Sequence, residues 1–115
     1  MTSDADPHYY HARDLARFGE VGNNASELAK KFFDWYGAVF ADGALSAREK
    51  SLIALGVAHA VQCPYCIDAY TEEALKLGAD LDQATEAVHV AAAIRGGASL
   101  VHGVQMRNKA GSLGV

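Results

Sequence analysis

Long apolar runs and clusters of basic residues are missing from this sequence of 115 residues. No segment reaches the roughly 18 consecutive apolar residues of a membrane-spanning helix, so we expect no membrane partner. The formal net charge is −4 and no Lys or Arg cluster occurs, which argues against a nucleic acid partner. The first residues, Met1–Asp6, are acidic and polar, unlike a secretory signal, so we expect a cytoplasmic protein.

Patterns typical of β-strands are also missing, because apolar and polar residues show no sustained alternation and no hairpin turn joins such segments. Apolar residues recur at helical spacing instead, as in Phe32, Trp35 and Val39. The length fits one domain. We therefore predict an all-α, single-domain bundle of about six helices over residues 1–115, with residues 1–9 as a loose N-terminal arm. Hydrophobic residues make up 50% of the chain, many of them Ala, and Gly occurs 11 times. This composition of small residues indicates that another subunit covers part of the apolar surface.

Capping residues set the predicted starts of the helices. Asn24 or Ser26 can cap the second helix, and Asp80 can cap the fifth. Ser46 and Glu49 match a capping box, in which each side chain bonds the backbone N–H of the other residue. The six predicted helices cover about residues 11–18, 26–40, 47–62, 64–77, 81–95 and 98–109.

Glycines set several of the predicted ends. Gly19 and Gly22 are expected to break the first helix, and Gly78 fits the position just after the fourth. Gly96 and Gly97 are expected to bend or interrupt the fifth helix. The third helix is apolar on nearly all sides from about residue 52, so we expect it to be buried on most sides.

The two cysteines, Cys63 and Cys66, enclose Pro64 and Tyr65. A pair at this spacing is typical of a redox dithiol, of half a metal site or of two unrelated buried thiols. Pro64 cannot continue the preceding helix, since it lacks an N–H and its ring clashes with the carbonyl one turn earlier. It suits the first position of a new helix. The sequence therefore predicts Cys63 at or next to an N-cap and Cys66 near the third helical position.

Both sulfurs would then lie near the positive end of a helix dipole. Thiolates are favoured there, with pKa values that fall from about 8.5 to between about 3.5 and 7.5. A redox dithiol needs this property, whereas buried structural thiols do not.

The segment Glu49–Ala58 and the motif Cys63–Thr71 resemble the carboxymuconolactone decarboxylase and alkylhydroperoxidase D superfamily. The resemblance extends over roughly residues 28–108. Together with His89–Ser99, the cysteine motif is similar to one subgroup, the arsenosugar biosynthesis-associated peroxidase-like proteins. The resemblance implies an all-helical fold that assembles as trimers or hexamers, and members with the dithiol act as peroxidases or disulfide reductases. It also implies that Cys66 attacks and that Cys63 resolves the product to a disulfide.

Two positions depart from the pattern of the peroxidase members. Those proteins carry a Glu twelve residues before the first Cys and a His four residues after the second, where this chain has Ser51 and Tyr70. Glu49 and His59 are the nearest substitutes for the missing proton relay. A tyrosine hydroxyl both donates and accepts hydrogen bonds, but its pKa near 10 makes it a poor general base.

Our candidate catalytic residues are therefore Cys66, Cys63, His59, Tyr70 and Glu49. Two of them have simpler interpretations. The capping box explains Glu49 completely, and His59 fits a core histidine bonded to a backbone carbonyl.

The pattern favours a thiol-dependent peroxidase or disulfide oxidoreductase that reduces a small hydroperoxide or disulfide and is restored by an external dithiol. We expect no cofactor and no resident metal. One alternative is a thiolate site for zinc or trivalent arsenic, although zinc usually takes four ligands. Others are a lactone decarboxylase, whose chemistry does not need the dithiol, and a structural protein without activity.

Overall fold

The computed structural model describes residues 10–115, and the predicted arm over residues 1–9 lies outside them. A 3₁₀ helix is followed by five α-helices, and the described residues contain no strand. The elements are the 3₁₀ helix Ala12–Gly22, α1 Ser26–Phe40, α2 Ala47–Ala60, α3 Pro64–Lys76, α4 Leu81–Val101 and α5 Gly103–Ser112. The predicted all-α class is confirmed. Within the described part of the chain, no helix is long and apolar enough to cross a bilayer.

Helix α2 is the centre of the fold, because α3 and the first half of α4 both pack against it. Its buried residues are small apart from Leu55, which is 1% exposed. A β-carbon at Gly56 would lie 3.1 Å from the carbonyl oxygen of Ala87, so α2 and α4 approach closely through this glycine. Small residues at the contact thus allow the two backbones to come together.

Most of the predicted caps are present. Ser46 and Glu49 form the expected capping box at the start of α2. Asp80 caps α4 and forms a second box with Gln83. Gly78 follows α3 with a φ of +96°, a left-handed conformation that glycine adopts without strain.

The predicted cap of α1 is wrong. The N-cap is Ala25, which has no side-chain oxygen, and Ser26 already lies inside the helix. The backbone N–H of Ala25 bonds the carbonyl of Gly22, which ties the start of α1 to the end of the 3₁₀ helix. Backbone contacts therefore replace the predicted side-chain cap.

Two predicted glycine breaks are also wrong. The first helix continues through Gly19 as a 3₁₀ helix. Helix α4 runs without interruption through Gly96 and Gly97 to Val101, and the chain turns at His102 instead. A glycine inside a helix costs about 1 kcal/mol relative to alanine. A helix of 21 residues that gains a hydrogen bond for each added residue can absorb that cost.

Large apolar side chains remain exposed over much of the described chain. Ile53 and Val57 on α2 are 53% and 54% exposed, so the prediction that α2 is buried on most sides is wrong for the single chain. Ile94 on α4 is 68% exposed. The radius of gyration is 19.2 Å, against about 13 Å for a compact domain of about this length. The helices therefore hold together through a small core and leave wide apolar faces open.

Candidate functional site

The link between α2 and α3 places the cysteines. Helix α2 ends at Ala60, and Gln62 adopts a left-handed conformation with a φ of 58°. Cys63 is the N-cap of α3 and Pro64 occupies the first turn, as predicted. The N–H of Cys63 donates to the carbonyl of Ala58 at 3.0 Å, which fixes the entry of the chain into α3. Pro64 thus ends one helix and starts another.

The two sulfurs lie at the mouth of α3. The Sγ atom of Cys63 accepts a hydrogen bond from the backbone N–H of Cys66 at 3.2 Å, in the manner of a capping oxygen. Both residues are free thiols and both are half-buried. The sulfur of Cys63 therefore satisfies one of the four N–H groups that a helix start leaves unpaired.

The two thiols differ in their surroundings, and the prediction that both favour the thiolate is wrong for Cys66. Burial raises the pKa of the Cys66 thiol to about 11, and the hydrogen bond and charge of Cys63 add to the rise. Loss of solvent outweighs the helix dipole at this position, because a buried charge loses its hydration. Within one chain, Cys66 is therefore a protonated thiol at neutral pH.

Two grooves meet at Cys66. One, of about 430 Å³, is the α2 groove, and the other, of about 570 Å³, is the 3₁₀ groove. Cys66, Tyr36 and Tyr70 line both grooves, whereas Cys63 lines only the 3₁₀ groove. The further lining of the α2 groove is mostly apolar and includes Val39, Phe40, Leu45, Ile53 and Val57. The 3₁₀ groove is also lined by Asp14, Leu15, Arg17, Phe18, Phe33 and Tyr65.

The hydroxyls of Tyr36 and Tyr70 are hydrogen-bonded to each other beside Cys66. The ring of Tyr70 stacks on Phe40 with 5.0 Å between the centroids, and Tyr36 contacts the same ring at 5.0 Å. Burial raises the pKa of Tyr70 above its usual value, and the neighbouring Tyr36 raises it further. The hydroxyl of Tyr70 therefore lines the site as a neutral group at physiological pH.

Neither Glu49 nor His59 lines either of the two grooves at Cys66. The Nδ1 atom of His59 lies 2.8 Å from the carbonyl oxygen of Leu55, and the histidine is absent from the lining of both grooves. Helix α2 ends before Cys63, so the predicted shared helical face does not form. The carboxylate of Glu49 bonds the N–H of Ser46 in the capping box, and hydrogen bonds from Ser46 lower its pKa. The simpler interpretations of both residues fit these contacts.

Ser51, at the position of the family glutamate, is 1% exposed. Its Oγ atom donates to the carbonyl of Arg48 at 2.7 Å, one turn earlier in the same helix. This hydroxyl is therefore satisfied within α2.

Tyr36 is the site residue that we did not predict. It belongs to α1 and lies 34 positions before Tyr70, so no local spacing relates the two. A signal exists all the same: Phe32, Tyr36 and Phe40 share one face of α1, and Tyr36 is the member with a hydroxyl.

Within residues 10–115, no three His, Cys, Asp or Glu side chains lie close enough to hold a metal ion. A metal on the two sulfurs would need further ligands from another chain or from solvent. A glycine-rich phosphate loop is likewise missing from the sequence around Arg95–Gly97.

Residues 26–106 match the carboxymuconolactone decarboxylase family. The chain belongs to this family. Uncharacterized protein 4 in the cox locus of Paracoccus denitrificans is 42% identical over 87 residues, which are 76% of this chain and 78% of that protein. The family includes peroxidases and decarboxylases, and the Cys63–Cys66 pair is present in this chain.

Two solved structures of other proteins share the fold. The crystal structure of a protein from Methanobacterium thermoautotrophicum has a TM-score of 0.70 and 34% identity, covering 73% of this chain and 94% of that one. A carboxymuconolactone decarboxylase family protein from Legionella pneumophila has a TM-score of 0.67 and 32% identity, covering 79% and 82%.

Proposed function

We propose that the protein is a thiol-dependent oxidoreductase that reduces hydroperoxides with Cys63 and Cys66. The observation that carries this proposal is the placement of the pair. One sulfur caps α3 beside its backbone amides, and the other lies where two grooves meet. A structural thiol pair would not need access from two sides.

The reaction begins with a thiolate on Cys66, the sulfur that lines both grooves and that attacks in the related peroxidases. It attacks the terminal oxygen of a hydroperoxide, the O–O bond breaks, and an alkoxide leaves and takes up a proton. The sulfenic acid on Cys66 then reacts with the thiol of Cys63, which gives a disulfide and water. An external dithiol restores both thiols by exchange and is itself oxidised to a disulfide.

The attacking thiolate forms when Cys66 loses its proton to solvent. Burial and the neighbouring Cys63 raise the pKa of Cys66, so the thiolate is the minor form at neutral pH. The rate of attack should therefore increase with pH until that pKa is reached.

The apolar lining of the α2 groove favours hydroperoxides with an alkyl group. Val39, Phe40 and Leu45 would contact such a group while its peroxide end reaches Cys66.

A cytoplasmic location would supply the dithiol reductant that the cycle needs. The resemblance of Cys63–Thr71 to the arsenosugar biosynthesis-associated peroxidase-like subgroup agrees with this activity.

The exposed apolar faces support assembly with further copies of the chain, as the trimers or hexamers of the family imply. A groove of about 390 Å³ lies between α2 and α4 and is lined by Ile53, Val57, Val90 and Ile94. All four side chains are more than half exposed in the single chain. Contiguous apolar surface of this kind is uncommon on monomers and typical of interfaces.

A steady-state assay tests the proposed activity. The reduced protein and a dithiol such as dithiothreitol should consume tert-butyl hydroperoxide, and Cys66→Ser should reduce the rate at least about 100-fold, since it removes the nucleophile. Equal consumption by the wild type and Cys66→Ser would contradict the proposal. A stoichiometric metal in protein purified without chelators would favour the thiolate metal site instead.

A further inference from the structure

The hydrogen-bonded hydroxyls of Tyr36 and Tyr70 lie where the two grooves meet, beside the sulfur that the proposed reaction uses. Tyr70 follows Cys66 by four residues in α3, so the two side chains share one helical face. Cys66 is also among the groups whose charge affects the pKa of Tyr70, which agrees with their closeness. Two polar groups from different helices thus line the same two grooves as Cys66.

The aromatic rings hold these hydroxyls in place. Phe40 stacks on Tyr70 and contacts Tyr36, and Phe32 contacts Tyr36 at 5.5 Å. Phenylalanine at both positions would retain this ring packing, and it would bring no polar atom into a half-buried, mostly apolar setting. Packing alone therefore does not explain the pair of hydroxyls, since burying a polar group without a use costs free energy.

One of the two hydroxyl hydrogens of Tyr36 and Tyr70 is not used in the hydrogen bond between them. Each hydroxyl carries a single hydrogen, and the bond between the two oxygens uses one of them. Among the described residues, the bond to the other tyrosine is the hydrogen bond found for each of these oxygens. The second hydrogen is therefore free for a third partner in the grooves.

We infer that the Tyr70 hydroxyl donates this hydrogen to the substrate oxygen that leaves when Cys66 attacks, and that Tyr36 positions it by donating to Tyr70. This inference rests on the proposed peroxidase activity and assigns a role to each hydroxyl within it. Tyr70 is the catalytic residue in this scheme, because it touches the substrate. Tyr36 is a positioning residue that acts through Tyr70.

The protons balance in this scheme. The thiolate of Cys66 forms an S–O bond to the terminal oxygen, the O–O bond breaks, and the departing alkoxide takes the hydrogen of Tyr70. The tyrosinate regains a proton from solvent, either directly or through Tyr36, which solvent then protonates in turn. Because burial holds the pKa of Tyr70 above its usual value, the hydroxyl is neutral at physiological pH and serves as a donor and not as a base. This role differs from that of the Glu and His relay, which abstracts a proton.

Two oxidants with different leaving groups test the inference. An alkoxide leaves from tert-butyl hydroperoxide and needs a proton, whereas the acetate that leaves from peracetic acid is stable without one. We would measure the single-turnover rate constant of the reduced protein with each oxidant for the wild type, Tyr70→Phe and Tyr36→Phe. The ratio of the two rate constants does not depend on the fraction of Cys66 present as thiolate, so a change in thiol pKa cannot produce the result.

For Tyr70→Phe we expect a loss of about 100-fold with tert-butyl hydroperoxide, the lower end of the range for a positioned proton donor. Peracetic acid should react within about threefold of the wild type, because a stable leaving group gains little from a donor. For Tyr36→Phe we expect the rate constant with tert-butyl hydroperoxide to fall about tenfold, with the rate constant for peracetic acid again little changed. A tenfold change corresponds to the loss of about one hydrogen bond. The matched control is Tyr10→Phe, which removes a hydroxyl bonded to the exposed Asp68 and should leave both rates unchanged.

A loss that is equal for the two oxidants, or no loss, would overturn the inference, since a purely structural role slows both reactions alike. Circular dichroism and thermal unfolding would verify that each variant is folded. A wild type that reacts with neither oxidant would overturn the proposed activity and this inference together. An active wild type with unaffected tyrosine variants would overturn this inference alone.

Discussion

Two regions of the molecule differ: the cysteine site and the far end, which is α4 beyond Ala91 together with α5. In a single chain, the polar groups of the first region have hydrogen-bond partners, whereas large apolar side chains of the second are exposed to solvent. Around the cysteines, the N-cap sulfur has its donor and the tyrosine hydroxyls have each other. Every buried side-chain nitrogen or oxygen among the described residues has a hydrogen-bond partner. At the far end, Ile94, Leu100 and Val104 are exposed by 68%, 81% and 57%. One chain thus builds the reactive pair by itself, whereas it leaves the apolar side chains of its far end exposed.

Replacing Leu55 by Ala should have the largest effect on stability. Leu55 is 1% exposed in the centre of α2, so its loss leaves a cavity and should lower the free energy of unfolding by about 2–5 kcal/mol. The matched variant is Leu100→Ala at the far end. In urea unfolding, Leu55→Ala should lower the free energy of unfolding at every protein concentration. Leu100→Ala should lower it only at concentrations high enough for chains to associate. Equal losses in dilute solution would contradict the difference between the two regions.

Replacing Ile94 by Glu should separate the copies of the chain in the assembly that we propose. A carboxylate in an apolar interface loses its hydration without a partner, which should weaken association at least about 100-fold. Light scattering after size-exclusion chromatography would give the mass, and the helical content should stay unchanged. Thr85→Glu adds the same charge to an exposed position on the first half of α4 and should leave the mass unaltered. An assembly that withstands Ile94→Glu would exclude this face as the interface.

Replacing Cys63 by Ser removes the resolving thiol and with it the disulfide, and the smallest effect that we expect from it is a change in the pKa of Cys66. The hydrogen bond and charge of Cys63 help to raise the pKa of Cys66 to about 11, so their loss should lower that pKa. In the wild type, alkylation of Cys66 by iodoacetamide should increase with pH until the pKa is reached, because the thiolate is the nucleophile. Peptide mapping would follow Cys66 alone in both proteins. An unchanged or higher midpoint in Cys63→Ser would contradict the conclusion that Cys63 raises the pKa of Cys66.

The parts of the fold that depend on neighbours in sequence could be predicted. Pro64 must end the preceding helix and can start the next, which fixed Cys63 at the N-cap. The Ser46 and Glu49 box follows equally from residues three positions apart. The glycine pair in α4 misled us, because its local signal for a break is weaker than the cooperativity of a long helix.

The chemistry of the site depended on contacts between distant segments, and these could not be predicted. Tyr36 contacts Tyr70 only because the folded chain brings α1 next to α3. The two residues are 34 positions apart, so no sequence spacing predicts the contact. The pKa of Cys66 was expected to fall on the basis of the helix dipole. It rises because burial, a property of the folded chain, has the larger effect.

The central claim is that Cys63 and Cys66 exchange two electrons with a hydroperoxide, and a single-turnover titration tests it most directly. Fully reduced protein would receive one equivalent of tert-butyl hydroperoxide without any reductant, followed by mass spectrometry of the intact chain and its peptides. We predict that one peroxide is consumed per chain and that the mass falls by two hydrogens, with a disulfide between Cys63 and Cys66. Unchanged thiols together with unconsumed peroxide would contradict the account.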